Sequence, residues 1–226
     1  MLRTLMLAAG AAIVLASSVL PAQEKPATKL LIALSSYRER PKHPNIFFYE
    51  HDGVSQGKIV GSVGTPRAAA SAEARPALTH DGRFCAFTYE LENNTGRIYY
   101  WDLKEQKLVD LADINASPNA QGWPALSGDG QWLAFTAWNR PGSTGAGWQV
   151  CLYDLAGKKF SELMNLSAPA ADERMPALSG DGRYLAFASN RKGGVGLTDV
   201  CLYDRQASKL DLLPAMNSKH MDAEPS

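Results

Sequence analysis

The stretch Met175-Pro-Ala-Leu-Ser-Gly-Asp-Gly-Arg-Tyr-Leu-Ala-Phe187 decides the fold, because it is one of three closely similar copies in a chain of 226 residues. The other two copies run from Arg75 to Phe87 and from Trp123 to Phe135. The proline of the copies recurs after 48 and then 52 residues, so the period is about 50. A second signature, which ends in an aromatic residue and Asp, follows each copy at 98–102, 150–154 and 200–204. Self-similarity at this period predicts a repeat architecture.

One repeat contains four short segments with strand character. Pro-Ala-Leu suits the start of a first strand, because proline cannot donate a hydrogen bond. Asp-Gly forms a tight turn in which glycine takes the positive φ. The next segment is apolar on both faces, which indicates a sheet packed between two others. The second strands are predicted at 84–88, 132–136 and 184–188, and the fourth strands at 107–111, 159–163 and 209–213. We therefore predict an all-β protein, a β-propeller of four-stranded antiparallel blades.

The repeat divides residues 29–226 into about four blades. The first blade, 29–70, is incomplete, because its segments at 29–35, 45–50 and 58–63 match second, third and fourth strands. The three complete blades are predicted at 71–116, 117–168 and 169–220. Pro225 lies 49 residues after Pro176, so we expect 221–226 to begin a strand that completes the first blade. The alternatives are a closed four-bladed ring and a truncated larger propeller.

Residues 1–22 have the pattern of a secretory signal peptide. Arg3 precedes an apolar run from Leu5 to Leu20, and Pro21-Ala22 provides a cleavage site. The alternative is an uncleaved anchor, but a run of about 16 residues is shorter than the roughly 20 that span a bilayer. We therefore expect a periplasmic or secreted protein with a linker at 23–28 and no membrane anchor after cleavage.

The composition is that of a folded protein and disfavours nucleic-acid binding. Hydrophobic residues make up 45% and charged residues 20% of the chain. The 23 basic residues balance 23 acidic ones without forming basic runs, and phosphate binding requires clustered Lys and Arg. The odd number of cysteines excludes a complete disulfide framework, and their spacing excludes a CxxC motif. Cys85, Cys151 and Cys201 are predicted to be small buried residues within strands.

The pattern Pro-x-Leu-Ser-x-Asp-Gly-(Arg/Gln)-aromatic-Leu-Ala-Phe, followed by Ser-Asn-Arg and Val-x-Leu-Tyr-Asp, resembles the WD40-like repeats of TolB-type β-propellers. The resemblance covers roughly residues 29–226. It implies an exported, non-catalytic protein, usually periplasmic in bacteria, that binds a protein partner in the cell envelope. TolB-type proteins also carry an N-terminal α/β domain and usually six blades, for which this sequence has no room. The resemblance therefore extends to the repeat, and not to a role in the Tol–Pal system.

The loops between second and third strands differ most between copies, so they are the candidates for function. By propeller geometry these loops share one rim with the loops that lead into the first strands. Arg and Trp are favoured anchors of protein interfaces, although solvated loop charges are the competing interpretation. The predicted partner-binding residues are Arg38, Arg40, Trp138, Asn139, Arg140, Trp148, Asn190 and Arg191.

The sequence gives little sign of a catalytic site. His-Glu-x-x-His and the P-loop are missing, and the four histidines are isolated. The one match to Gly-x-Ser-x-Gly, at 53–57, joins two predicted strands, whereas the nucleophile motif joins a strand to a helix. We predict no catalytic residue, no resident metal and no cofactor. Some propellers bind calcium through loop carboxylates, for which the candidates are Asp172, Asp199 and Asp222. The alternatives to a binding module are a carbohydrate- or peptide-acting propeller enzyme and a structural fragment of a larger propeller.

Overall fold

The computed structural model describes residues 29–53, 56–65, 71–91, 95–139, 147–164, 166, 168 and 171–226. The predicted signal peptide and linker, at 1–28, lie outside the described residues, as does the candidate residue Arg140. No helix among the described residues is long and apolar enough to cross a membrane.

The described residues form four antiparallel sheets in which the strands pair in sequence order. Blade 1 consists of β1 (Leu30–Ser36), β2 (Asn45–His51) and β3 (Gly57–Ser62). Blade 2 consists of β4 (Ala72–Leu78), β5 (Phe84–Glu90), β6 (Gly96–Asp102) and β7 (Lys107–Val109), and the short helix α1 (Ala112–Asn115) follows it. Blade 3 consists of β8 (Gln121–Leu126), β9 (Trp132–Trp138), β10 (Trp148–Asp154) and β11 (Lys159–Ser161). Blade 4 consists of β12 (Glu173–Leu178), β13 (Tyr184–Ser189), β14 (Asp199–Asp204) and β15 (Lys209–Asp211). This architecture confirms the predicted all-β propeller.

The Asp-Gly pair makes the turn between first and second strands, as the sequence predicts. In blade 2 the Thr79 hydroxyl donates to Asp81 Oδ1 at 2.6 Å, and the Arg83 amide donates to the same oxygen at 3.0 Å. Gly82 has a φ of 67°, a conformation that favours glycine. The hydrogen bond from Thr79 is the main reason why the pKa of Asp81 is lowered. Blades 3 and 4 repeat this arrangement with serine in place of threonine.

The core lies between the blades, because second strands are apolar on both faces. Blades 1 and 2 pack around Ile46 and Phe87, and blades 2 and 3 around Phe135. Blades 3 and 4 pack around Leu152 and Phe187. All three cysteines are buried and free, in agreement with the prediction.

The fourth strands pair over three residues each and are shorter than predicted. The predicted strands at 107–111 and 159–163 end early because the chain then turns inwards. Leu111 and Leu163 enter the clusters between blades instead of continuing the sheet edge.

The expected closing strand at 221–226 does not form on blade 1. Met221 makes an isolated parallel bridge with Thr198 of its own blade, and the Asp222 amide donates to the Thr198 carbonyl at 2.8 Å. Blade 1 therefore keeps β1 as an edge strand. Glu224, before Pro225, has a positive φ of 59°, as have the residues before the three repeat prolines, but the segment forms no strand.

Candidate partner-binding site

Each four-stranded blade carries a β-bulge in its first strand, at the residue before the proline. The register of β4 against β5 shifts between Ala74 and Ala77, and the other two blades shift at the same place. The bulged residues Arg75, Trp123 and Met175 have φ values of 55°, 50° and 54°. Bulky residues rarely adopt this conformation. A bulge redirects its side chain, so these three positions leave the regular alternation of the strand.

Aromatic and cationic side chains from three blades meet beside these bulges. The Arg75 Cζ atom lies 4.5 Å from the centre of the Trp123 ring. Trp148 packs edge-on against both Trp123 and Trp138, with ring centroids 5.5 and 5.6 Å apart. The Arg174 Cζ atom lies 5.2 Å from the Trp148 ring. We call these five residues the Trp–Arg cluster.

Carboxylates orient both guanidinium groups of the cluster. Arg75 forms an ion pair with Glu90, and Arg174 Nη2 lies 3.1 Å from Asp172 Oδ2. These side chains are each more than a third exposed, so the pairs contribute little to stability. Each guanidinium stays near a tryptophan ring, where it contributes cation–π attraction.

Hydrogen bonds to side-chain oxygens hold the loops beneath the cluster. Asp172 Oδ1 accepts from the Trp148 amide at 2.9 Å, and Asn190 Oδ1 accepts from the Asp172 amide at 2.8 Å. Asn139 Oδ1 accepts from the Gly147 amide at 2.9 Å. The two asparagines predicted as partner contacts therefore fix the rim loops, while the tryptophans form the surface.

The structure brings Trp138 and Trp148 together but places Arg191 elsewhere. The Arg191 and Glu173 side chains are 7% and 2% exposed, and their Nη2 and Oε1 atoms lie 2.6 Å apart. The Arg191 Nη2 atom also donates to the Leu166 carbonyl at 3.1 Å. Arg191 is thus an internal contact of blade 4 and is not available at the rim.

The two arginines predicted on blade 1 lie away from the cluster. Arg38 donates from Nε to Ser36 Oγ at 3.1 Å, and its Cζ atom lies 4.6 Å from the Phe47 ring. The carbonyl of Arg40, in the same loop, accepts from the His43 amide at 3.2 Å. The Trp–Arg cluster belongs to blades 2 to 4, and blade 1 contributes none of its five members.

Sequence reasoning did not identify Arg75 or Trp123 as site residues. The available signal is their position: they precede the proline of an almost invariant motif, yet they differ from each other and from Met175. A position that varies between copies of an otherwise constant motif is not needed for folding, so it can carry a functional side chain.

The calcium candidates do not come together. Among the described residues no group of three His, Cys, Asp or Glu side chains could hold a metal ion. Asp199 is buried and accepts from the Gly196 amide at 2.9 Å, and Asp222 accepts from the Ser218 amide at 2.6 Å. Asp172 is engaged with Trp148 and Arg174, as described above.

Comparison with known proteins supports the class of fold. The sequence matches no family model and no curated protein. Among solved structures, TolB from Acinetobacter baumannii is similar with a TM-score of 0.54 and 20% identity, over 82% of this chain and 41% of that chain. A puromycin-hydrolyzing peptidase from Mycobacterium tuberculosis matches with a TM-score of 0.52 and 16% identity, over 81% and 27% of the two chains. An oligogalacturonate lyase in complex with manganese matches with a TM-score of 0.52 and 11% identity, over 82% and 50%.

The protein is therefore a β-propeller. Within that class its fold is TolB-like, in agreement with the repeat motif. The chain spans half or less of the length of each of these structures, so the likeness concerns the propeller fold.

Proposed function

We propose that this protein is an exported, non-catalytic propeller that binds a protein partner in the cell envelope through the Trp–Arg cluster. The observation that carries the proposal is the convergence of three tryptophans and two arginines on one rim. Trp and Arg are the residues most enriched among the energetic hot spots of protein interfaces. The signal-peptide pattern of residues 1–22 supports export to the periplasm or beyond.

The backbone beneath the cluster is fixed by the repeat. Trp123 occupies the bulge before the proline with a φ of 50°, as Arg75 and Met175 do in their own blades. Trp138 remains 41% exposed although it packs against Trp148. An exposed tryptophan on a preformed support loses little side-chain entropy when a partner binds.

The proposal is tested by crosslinking the purified protein in an envelope extract and identifying the captured partner. The double variant Trp138→Ala with Arg75→Ala should reduce capture at least tenfold, because it removes an exposed ring and a guanidinium while leaving the interblade core intact. Its melting temperature should stay close to that of the wild type. Equal capture by this variant would contradict the proposal.

A matched control lies at the opposite end of the blades. Tyr184 is 37% exposed, and the Arg183 Cζ atom lies 4.8 Å from its ring, so this pair resembles the cluster in exposure and chemistry. Tyr184→Ala should leave capture unchanged. Turnover of a glycan or peptide panel by the wild-type protein would instead favour the enzyme alternative.

A further inference from the structure

The face of blade 1 that points away from blade 2 is open. The side chains of Ser36 and Ser189 each accept from the Nε atom of the arginine two residues later, so an offset of 153 residues relates β1 to β13. Ile32 and Leu185 are therefore equivalent. Leu185 is 0% exposed because it packs against blade 3, whereas Ile32 is 41% exposed. Within the described part of the chain, no blade precedes blade 1 and covers this face.

The far face of blade 4 is open in the same way. The third-strand signatures at 150–154 and 200–204 are 50 residues apart. Leu166 belongs to the cluster between blades 3 and 4 and is 1% exposed, whereas Met216, 50 residues later, is 58% exposed. Leu213 is partly exposed, although the leucine at the same place in blade 3 is buried. Blade 4 therefore presents side chains that a following blade would cover.

The two open faces have the composition of an occupied interface between blades. The interface between blades 3 and 4 contains Val150, Leu152, Leu163 and Leu166 on one side and Leu185, Phe187, Cys201 and Tyr203 on the other. The corresponding residues of the open faces are Val200, Leu202, Leu213 and Met216 on blade 4 and Ile32, Leu34, Phe47 and Tyr49 on blade 1. Every position is apolar, so the face of blade 4 suits the face of blade 1. A second copy of the chain has both faces, and burial of apolar surface drives association.

The segment 221–226 already lies where the first strand of a following blade would lie. Between blades 3 and 4, the Trp148 amide donates to Oδ1 of Asp172, directly before β12. Thr198 and Met221, which are 50 and 49 residues further along, form the isolated parallel bridge. The φ of 59° before the proline of this segment also matches the 50–55° of the three first strands. The segment therefore has the position and the backbone of a first strand, but it has no second strand with which to pair.

A charged pair would join this segment to blade 1. Arg38 and Arg191 are equivalent, and Arg191 pairs with Glu173, three residues before the proline of its first strand. Asp222 lies three residues before Pro225, at the position of that glutamate. Arg38 is exposed, and β1 is an edge strand, so among the described residues blade 1 has no first strand that could supply a carboxylate. A first strand from outside the blade would set Asp222 beside Arg38.

We propose that a second copy of this chain completes blade 1. The segment 221–226 of each copy pairs with β1 of the other as its first strand, with Asp222 opposite Ser36, as Glu173 is opposite Ser189. The open face of blade 4 then packs on the open face of blade 1. Two such interfaces, related by a two-fold axis, close two sets of four blades into one ring, which is within the range of known propellers. The proposal does not rest on partner binding at the Trp–Arg cluster.

Light scattering coupled to size exclusion tests the proposal on the purified protein. We expect a mass of two chains. Met216→Asp should raise the dissociation constant of the dimer at least tenfold, because it places a charge in an apolar interface. Met164→Asp is the matched control: this methionine is 60% exposed in the loop between blades 3 and 4, whose interface is already occupied, so the variant should remain dimeric. A wild-type mass of one chain, or a series of larger open assemblies, overturns the proposal.

Charge reversal shows whether the segment pairs with another copy. Arg38→Glu and Asp222→Arg each place like charges at both interfaces and should weaken the dimer at least tenfold, with an unchanged far-UV circular dichroism spectrum. An equal mixture of the two variants should dimerise again, because one interface keeps the original pair and the other has the reversed pair. Pairing of the segment with β1 of its own chain would give no such rescue. Failure of the mixture to dimerise, or undiminished dimerisation of either variant alone, overturns the assignment, whereas Trp138→Ala should leave the dimer unchanged.

Discussion

The contact between Glu173 and Arg191 allows a quantitative test of how a buried ion pair stabilises blade 4. Both side chains are more than nine-tenths buried. Glu173→Gln leaves the guanidinium without its carboxylate, and Arg191→Asn leaves the carboxylate without its cation. Breaking a buried pair from either side costs about 3–5 kcal/mol. Blade 3 shows that the fold accepts the neutral pair. Gln121 and Asn139 lie 52 residues before Glu173 and Arg191, at the equivalent positions of that blade.

The double variant should therefore be far more stable than the sum of its parts. Additive behaviour would cost about 6–10 kcal/mol for the two changes together. The double variant leaves no buried charge, and its main loss is the hydrogen bond to the Leu166 carbonyl, about 1–3 kcal/mol. The expected coupling energy is about 3 kcal/mol or more, at the upper end of measured values.

Urea unfolding followed by tryptophan fluorescence measures all four free energies of the cycle. The exposed pair Arg75 and Glu90 supplies a matched control, since its side chains are 41% and 39% exposed. Its coupling should stay below about 1 kcal/mol. If the Glu173 and Arg191 changes were additive within about 0.5 kcal/mol, the claim that this pair is a buried unit would be refuted.

Three further predictions concern packing, acid stability and thiol reactivity. A Cβ at Gly128 would lie 2.4 Å from the His80 ring, so Gly128→Ala should lower the free energy of unfolding by about 1–3 kcal/mol. Adding His80→Gly should restore most of the lost stability in the same urea assay. The hydrogen bond from Arg183 lowers the pKa of Asp204 from 3.8 to about 2, so the ion pair stabilises the folded state above pH 4 and this stabilisation is lost as the pH falls towards 2. In Arg183→Gln, acid-unfolding curves should lack this loss of stability between pH 4 and 2. An unchanged pH dependence in the variant would contradict the assignment. Burial raises the pKa of the Cys85 thiol to about 12, so a disulfide reagent should label it slowly in the folded protein and readily in urea; fast labelling of the native protein would contradict this burial.

The sequence predicted the parts of the fold that depend on local chemistry. Asp-Gly at a fixed offset located every turn between first and second strands, because a positive φ at glycine leaves few alternative geometries. Apolar second strands indicated sheets buried on both sides, and the three interblade clusters have that arrangement. The pairing of 221–226 was not predictable in this way, since the backbone that precedes Pro225 does not specify its neighbouring strand.

The candidate site was predicted less completely, because burial of a charge depends on the neighbouring strand. Arg191 has the sequence context of an exposed loop residue, but its carboxylate partner lies 18 positions earlier in the chain. Trp138 and Trp148 flank one loop and were identified because that loop differs between copies and Trp is a favoured interface anchor. Arg75 and Trp123 reach these tryptophans because the bulge before each proline redirects their side chains. The bulge is a feature of strand register, and a sequence motif does not show it.

Differences between copies of a repeat are of two kinds, those that occur singly and those that must occur in pairs. His80 replaces a glycine alone: its amide donates to the Gly128 carbonyl at 2.9 Å, and a Cβ at Gly180 would lie 3.1 Å from its ring. That single change fills space between neighbouring turns, and nothing else has to change with it. Asn139 and Gln121, in contrast, replace both members of an ion pair, and Gln121 donates from Nε2 to the Ile114 carbonyl at 2.6 Å. Replacing one member alone would have left an unpaired charge in the interior, which is strongly destabilising, so these two positions have to change together.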